Sequence, residues 1–151
     1  MISFFVPGKP KGKGRPRATV VGGEIIAISN YGPYIRQRAR PRMYTPPSTV
    51  AAEDEIKNAF LAKYRPERAI GALRMDITVR IKPPKSKGDD ADYSTSKPDC
   101  DNVLKLVMDA LNGLAYKDDS QIAIAHVKKL SCPKEGILVE IERINSIGGQ
   151  R

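Results

Sequence analysis

Tryptophan is missing from these 151 residues, histidine occurs once, at His126, and cysteine twice, at Cys100 and Cys132. Aromatic residues amount to 6%, too few for a protein that works mainly by stacking on bases. Two cysteines make no disulfide framework, and no CxxC spacing offers itself to zinc. The compartment rule reads them as free thiols in a reducing cytosol. No apolar run approaches the ~18 residues that a membrane span needs. The chain opens on the apolar run Met1 to Val6 and only then turns basic. A secretory signal has the reverse order, so a cytoplasmic protein without membrane attachment is expected.

Acid is scarce in one place. Residues 1–50 hold Lys9, Lys11, Lys13, Arg15, Arg17, Arg36, Arg38, Arg40 and Arg42 against Glu24 alone. The remaining residues carry 17 bases and 16 acids, so nearly the whole formal charge of +9 sits in the first third. The bases form two blocks, each with a base at every second position. Glycine and proline make the first block a loop. Gly12-Lys13-Gly14 fails the phosphate-loop spacing, and no Ser or Thr follows it; no nucleotide cofactor is expected. Nine bases with one acid would repel one another unless a polyanion relieved them, so phosphate-backbone contact is the better reading than a solvated arm.

One domain is expected over residues 1–151, with a basic N-terminal segment over 8–46 and a mobile loop over 83–98. Ile2 to Val6 is a strand closed by Pro7-Gly8. Thr19-Val20-Val21 and Glu24-Ile25-Ile26 flank Gly22-Gly23 as a hairpin would. Ser48 to Tyr64 has a helical stripe that Pro66 stops. Leu73 to Lys82 alternates as a half-buried strand, Asp101 to Gly113 is an amphipathic helix, and Gln121 to Leu130 and Ile137 to Ile144 are two further strands. The order predicts an α/β (α+β) fold, a small mixed sheet with helices packed mainly on one face.

Lys97-Pro98-Asp99-Cys100-Asp101-Asn102-Val103-Leu104-Lys105 is the densest chemical signal. Pro98 starts a helix near Asp99 and puts two carboxylates at its first turn. A capping role for Asp99 explains them blandly. Lys105 follows Asp101 by four residues on the same face, where a surface ion pair is the ordinary reading. Asp118-Asp119 falls between this helix and the next strand, and a connection that folds back would bring Asp119 toward Asp99. Carboxylates converging beside a basic surface suit Mg²⁺, which takes hard oxygen ligands and activates water for phosphodiester hydrolysis. An ammonium such as that of Lys105 suits the charge that develops on the phosphate. His126 reads as a structural histidine without an acidic neighbour, and Asp89, Asp90 and Asp92 read as solvated loop charges.

That segment, with Asp109-Ala110-Leu111-Asn112-Gly113 and Asp118-Asp119-Ser120-Gln121-Ile122, resembles the core of the RusA-type Holliday-junction resolvases over roughly Lys97 to Lys129. Phe5-Val6-Pro7-Gly8, Lys13-Gly14-Arg15-Pro16-Arg17 and Tyr44-Thr45-Pro46 also resemble the N-terminal part of longer members. Cys100 departs from the aliphatic residue usual there. The resemblance implies metal-binding acids at Asp99, Asp101 and Asp119 and a catalytic lysine at Lys105. It further implies Mg²⁺ dependence, a homodimer, and paired nicks across four-way DNA junctions in recombination and repair. A flap or fork nuclease, or a non-catalytic basic nucleic-acid-binding protein, is the alternative. The strand from Ile137 to Ile144, taken as an outer strand, and the helix from Ser48 offer themselves as dimer surfaces.

Overall fold

A computed structural model describes residues 1–21, 40–66, 68–83 and 93–144. Its elements in chain order are β1 (Ile2–Pro7), β2 (Arg17–Val21), β3 (Arg40–Tyr44), α1 (Pro47–Leu61), β4 (Leu73–Ile81), α2 (Cys100–Leu111), β5 (Ile122–Ser131) and β6 (Gly136–Arg143). A single 3₁₀ turn, Asp119–Gln121, precedes β5.

Four strands form one mixed sheet in the order β1-β6-β4-β5, and β2 pairs with β3 in a separate ribbon. β4 and β5 are parallel because α2 lies between them in sequence, and parallel strands need such a crossover. β6 is antiparallel to both of its neighbours. It lies inside the sheet rather than at its rim. Its alternation of Ile137, Val139 and Ile141 shows which face is buried, and that pattern is the same for an inner and an outer strand. The outer strands are β1 and β5.

The core lies between one face of this sheet and the two helices. Phe4, Val6, Leu73, Met75, Ile77, Val79, Val139 and Ile141 meet Ala52, Ile56 and Phe60 of α1 and Val103, Leu106, Val107, Ala110 and Leu111 of α2. The apolar stripe of α1 is therefore spent on the core and not available to a partner. The four fully buried Val and Leu side chains of α2, at roughly 2 kcal/mol each, outweigh the ~1 kcal/mol that an N-cap supplies. The helix stands on its packing, whatever its first residue does.

β3 is a strand where the sequence shows a charged block. Val21 pairs with Arg40 and Arg17 with Tyr44. The hairpin expected across Gly22-Gly23, and Asp89, Asp90 and Asp92, lie outside the described residues. α1 begins at Pro47, one residue before the expected Ser48, since proline at the first helical position loses no hydrogen bond.

On the face without helices, β4 and β5 place Asp76 beside His126, so the expectation of no acidic neighbour is overturned. His126 Nδ1 lies 3.0 Å from Asp76 Oδ1, and its side chain is 61% exposed. The Arg74 guanidinium donates to both carboxylate oxygens, at 2.7 and 3.1 Å. These donors, Arg74 first, hold the Asp76 carboxyl below its ordinary range against the opposing effect of burial. A depressed carboxylate stabilises the fold above the ordinary carboxylate pKa and loses that contribution as pH falls through the folded value. Asp76→Asn is therefore expected to melt a few degrees below the parent at pH 7. The gap should close as pH falls below the ordinary carboxylate range and through the lowered folded value, as followed by circular dichroism.

Candidate active site

The basic segment over residues 8–16 runs as a strap across the two helices. The Lys13 N–H donates to Asn102 O at 2.9 Å, and the Gly14 N–H to Thr49 Oγ1 at 3.1 Å. Two glycines permit this approach. A Cβ at residue 12 would stand 3.0 Å from Asn102 Cβ and 3.1 Å from Pro98 Cβ, and one at residue 14 would stand 2.8 Å from Thr49 Oγ1. The glycines around Lys13 thus serve a close backbone crossing.

The strap's bases divide into two kinds. Lys11 pairs with Glu55 at 2.8 Å, and Lys13 pairs with Asp109 and approaches Glu53 at 4.0 Å. Lys9, Arg15, Arg17 and Arg42 are exposed and form no ion pair among the described residues. Arg36 and Arg38 lie outside the described residues, and of Arg40 only the backbone is described.

α2 delivers the candidate chemistry. Pro98 and the ammonium of Lys129 on β5 define its start: Lys129 Nζ donates to Ser96 O at 2.8 Å and to Pro98 O at 3.2 Å. Asp99 occupies the N-cap position, yet its side chain makes no capping hydrogen bond. Asp101 and Lys105 are exposed, and no ion pair within 4 Å joins them. Both ordinary explanations, the cap and the surface pair, are missing. The start of the helix borders a cleft of about 320 Å³ lined by Lys9, Pro10, Gly12, Lys13, Lys97, Pro98, Asp99 and Asn102. Two exposed lysines, Lys9 and Lys97, thus line this cleft together with a carboxylate. Cys100 is a half-buried free thiol.

Asp119 is placed by different means. Gln121 makes four hydrogen bonds. Its Oε1 accepts from the Lys117 and Asp118 N–H groups at 2.8 and 3.2 Å, and its Nε2 donates to Ala69 O and Gly71 O at 3.0 and 3.1 Å. Asp118 accepts the Ser120 N–H at 2.9 Å, and the hydrogen bonds from Ser120 lower the Asp118 pKa. Asp118 and Gln121 therefore build the turn, which leaves the Asp119 carboxylate without an internal partner among the described residues. Beneath it lies Tyr116, fully buried, with its hydroxyl donating to Met108 O at 2.8 Å. Burial, and then the charge of Asp119, push the Tyr116 pKa up.

The three acids do not meet within one chain. The connection does fold back, but it returns Asp119 to the Met108 end of α2. Met108 lies seven residues, about 10 Å of helix rise, beyond Asp101. Among the described residues no group of three His, Cys, Asp or Glu side chains could hold a metal ion. The donors that remain together are the hard carboxylates Asp99 and Asp101 at the start of α2.

The sequence reading passed over Lys129, Gln121 and Lys97. The two latter lie inside the quoted motif, and their amide and ammonium groups were visible there. Lys129 shows no signal in the chain order, since only strand pairing carries it to the loop before α2.

A model of the family described as endodeoxyribonuclease RusA matches residues 7–142. The chain belongs to the RusA family. Among RusA relatives and other similar proteins, YqaN of Bacillus subtilis (strain 168) is 31% identical over 156 residues, covering 96% of this chain and 98% of that protein. A crossover junction endodeoxyribonuclease of Lactococcus phage r1t is 40% identical over 53 residues, covering 34% of this chain and 40% of its own length. No helix among the described residues of this RusA-family chain is long and apolar enough to cross a membrane.

Gln121→Ala should remove the four bonds of the Gln121 side chain, cost about 1–3 kcal/mol and leave the part-buried Ala69 carbonyl unpaired. Gln121→Glu retains the acceptor and loses the donors, so it should fall between the two. Urea unfolding of the three proteins measures the order.

Proposed function

We propose that the protein is a Mg²⁺-dependent endodeoxyribonuclease that resolves four-way DNA junctions by paired, symmetric nicks. It would act as a cytoplasmic homodimer in recombination and repair, with residues 1–151 forming one endonuclease domain. The observation that carries this reading is the set Asp99, Asp101 and Lys105. These groups are free of structural partners on one helix start and its next turn, beside a lysine-flanked cleft, in a chain of the RusA family.

Mg²⁺ binds through one or two carboxylates and completes its shell with water and phosphate oxygens; Asp99 and Asp101 supply such a pair. When bound, the ion would neutralise the scissile phosphate and make water a stronger nucleophile. The protein's own groups do the rest. Lys9, Lys97, Arg15, Arg17 and Arg42 attract and orient the backbone. Lys105, one turn beyond Asp101, stabilises the extra negative charge as water adds to phosphorus and the bond to the 3′ oxygen breaks. Asp119 stands at the other end of α2. A second chain is one way to bring a further carboxylate to the first pair, and two chains also match the two nicks of a two-fold substrate.

Asp101→Asn retains size and removes charge. Cleavage of a synthetic four-way junction should fall at least about 100-fold, which is ~2.7 kcal/mol of barrier. Gel-shift binding should persist or tighten. Lys105→Ala should lower the single-turnover rate far more than the affinity. Normal turnover in both variants would leave a basic binding protein as the better account. Linear duplex and flap substrates run alongside show whether branch type is discriminated.

Arg15→Ala with Arg17→Ala should flatten the slope of log K against log [salt] by roughly 0.9 for each lost phosphate contact. Lys11→Ala with Lys13→Ala should change the slope less, because those ammonium groups already face Glu55 and Asp109. Fluorescence anisotropy over a salt series measures both.

A further inference from the structure

The sheet's two outer strands are finished differently. On β1 the free side is obstructed at Ser3. The Tyr64 hydroxyl accepts the Ser3 N–H at 3.0 Å and donates to Ser3 O at 3.1 Å, and the Lys63 ammonium donates to the same carbonyl at 2.7 Å. On β5 the free side is closed only at its far end, where Tyr93 bridges Leu130 and the Ser94 N–H donates to Lys129 O at 3.0 Å. Among the described residues nothing hydrogen-bonds the outward side of β5 from Ile122 to Lys128.

That stretch lacks the features by which outer strands discourage pairing. Ile122-Ala123-Ile124-Ala125-His126-Val127 contains no proline and, with histidine neutral, no charge. Ala123, Ile124, Ala125 and His126 are all exposed, so neither the helix side nor the open side of the strand is covered there. The register with β4 shifts near the start of β5, between Leu73 and Arg74, and leaves the pairing regular from Ile124 onward.

The Ser94–Lys129 bond also sets the register available to a partner. Lys129 turns its carbonyl outward, and alternate residues of a strand turn their backbone groups the same way. Val127 and Ala125 therefore present N–H and C=O outward, on either side of His126. Under a two-fold axis this array complements itself. Ala125 faces Val127 of the second copy, Val127 faces Ala125, and His126 faces its counterpart. We infer that β5 is the dimer contact: it pairs antiparallel with β5 of a second copy about an axis through His126, making one eight-stranded sheet.

This rests on the homodimer of the reading above and names the surface that forms it. Charge favours the same partner. Lys128 falls opposite Ile124, so no like formal charges oppose each other, and each His126 is already held by Asp76 of its own chain. Because the axis is perpendicular to the sheet, both pairs of helices lie on one side, and each exposed helix-side Ala125 meets Val127 of the other copy at the seam.

Sedimentation of the full chain provides the test. The parent should run at twice the 16.6 kDa chain mass. Ala125→Pro removes an outward N–H that β4 does not use, so this variant should run as a monomer with an unchanged far-UV spectrum. His126→Cys, mildly oxidised, should cross-link between copies. Opposed residues at such a position have Cα atoms about 4.5 Å apart, within disulfide range, whereas the parent with Cys100 and Cys132 should not cross-link. A dimeric parent whose Ala125→Pro variant stays dimeric, or whose His126→Cys variant does not cross-link, overturns this contact and leaves the homodimer standing. A monomeric parent overturns both, while junction cleavage reports on the nuclease separately. Should Ala125→Pro not fold, the cross-link decides alone.

Discussion

Val103, Leu106, Val107, Ala110 and Leu111 pin one face of α2 against the sheet and α1 at 1% exposure or less, and that contact determines where Asp99, Asp101 and Lys105 stand. It turns the opposite face outward with Asp101 and Lys105 on it. It offers the Asn102 carbonyl to the Lys13 N–H, which lays the basic strap across both helices. Asp109, two turns along, then receives the Lys13 ammonium. Since packing suffices to hold the helix, Asp99 need not cap it, and its side chain makes no capping bond.

The strap shows how a simple count of bases overstates a binding surface. Lys11 and Lys13 lie among evenly spaced cations in the sequence, but the fold sets them against Glu55, Asp109 and Glu53. They neutralise helix acids that would otherwise repel a phosphate backbone. In the proposed DNA complex their contribution would therefore be indirect, through the sign of the surface near the cleft, whereas Lys9, Arg15, Arg17 and Arg42 would remain for direct contact.

Local pattern was enough to read most of the elements. The alternation of Leu73 to Ile81 and the stripe of α2 are strong signals because one face of each is buried. The two charged blocks hid β3, whose side-chain chemistry says nothing of its pairing with β2. Alternation is equally silent about neighbours, which is why β6 read as an outer strand and proved an inner one. The candidate site was legible where it is contiguous: Asp99, Asp101 and Lys105 follow from helix spacing. What joins distant residues was not. Lys129 under the Pro98 carbonyl, Gln121 across to Ala69 and Gly71, and Asp76 beside His126 all depend on strand order. The turn after α2 returned Asp119 toward Met108, because Gln121 ties it to the start of β4.

Tyr64 and Lys63 occupy the backbone of Ser3 and so obstruct strand addition at the β1 edge of the sheet. A sheet open on both sides can add copies without limit, as fibrils do. One that is stoppered at β1 stops after a single addition, since joining two open edges uses up both. Two residues outside the candidate site would thus limit how many copies of that chemistry one particle carries.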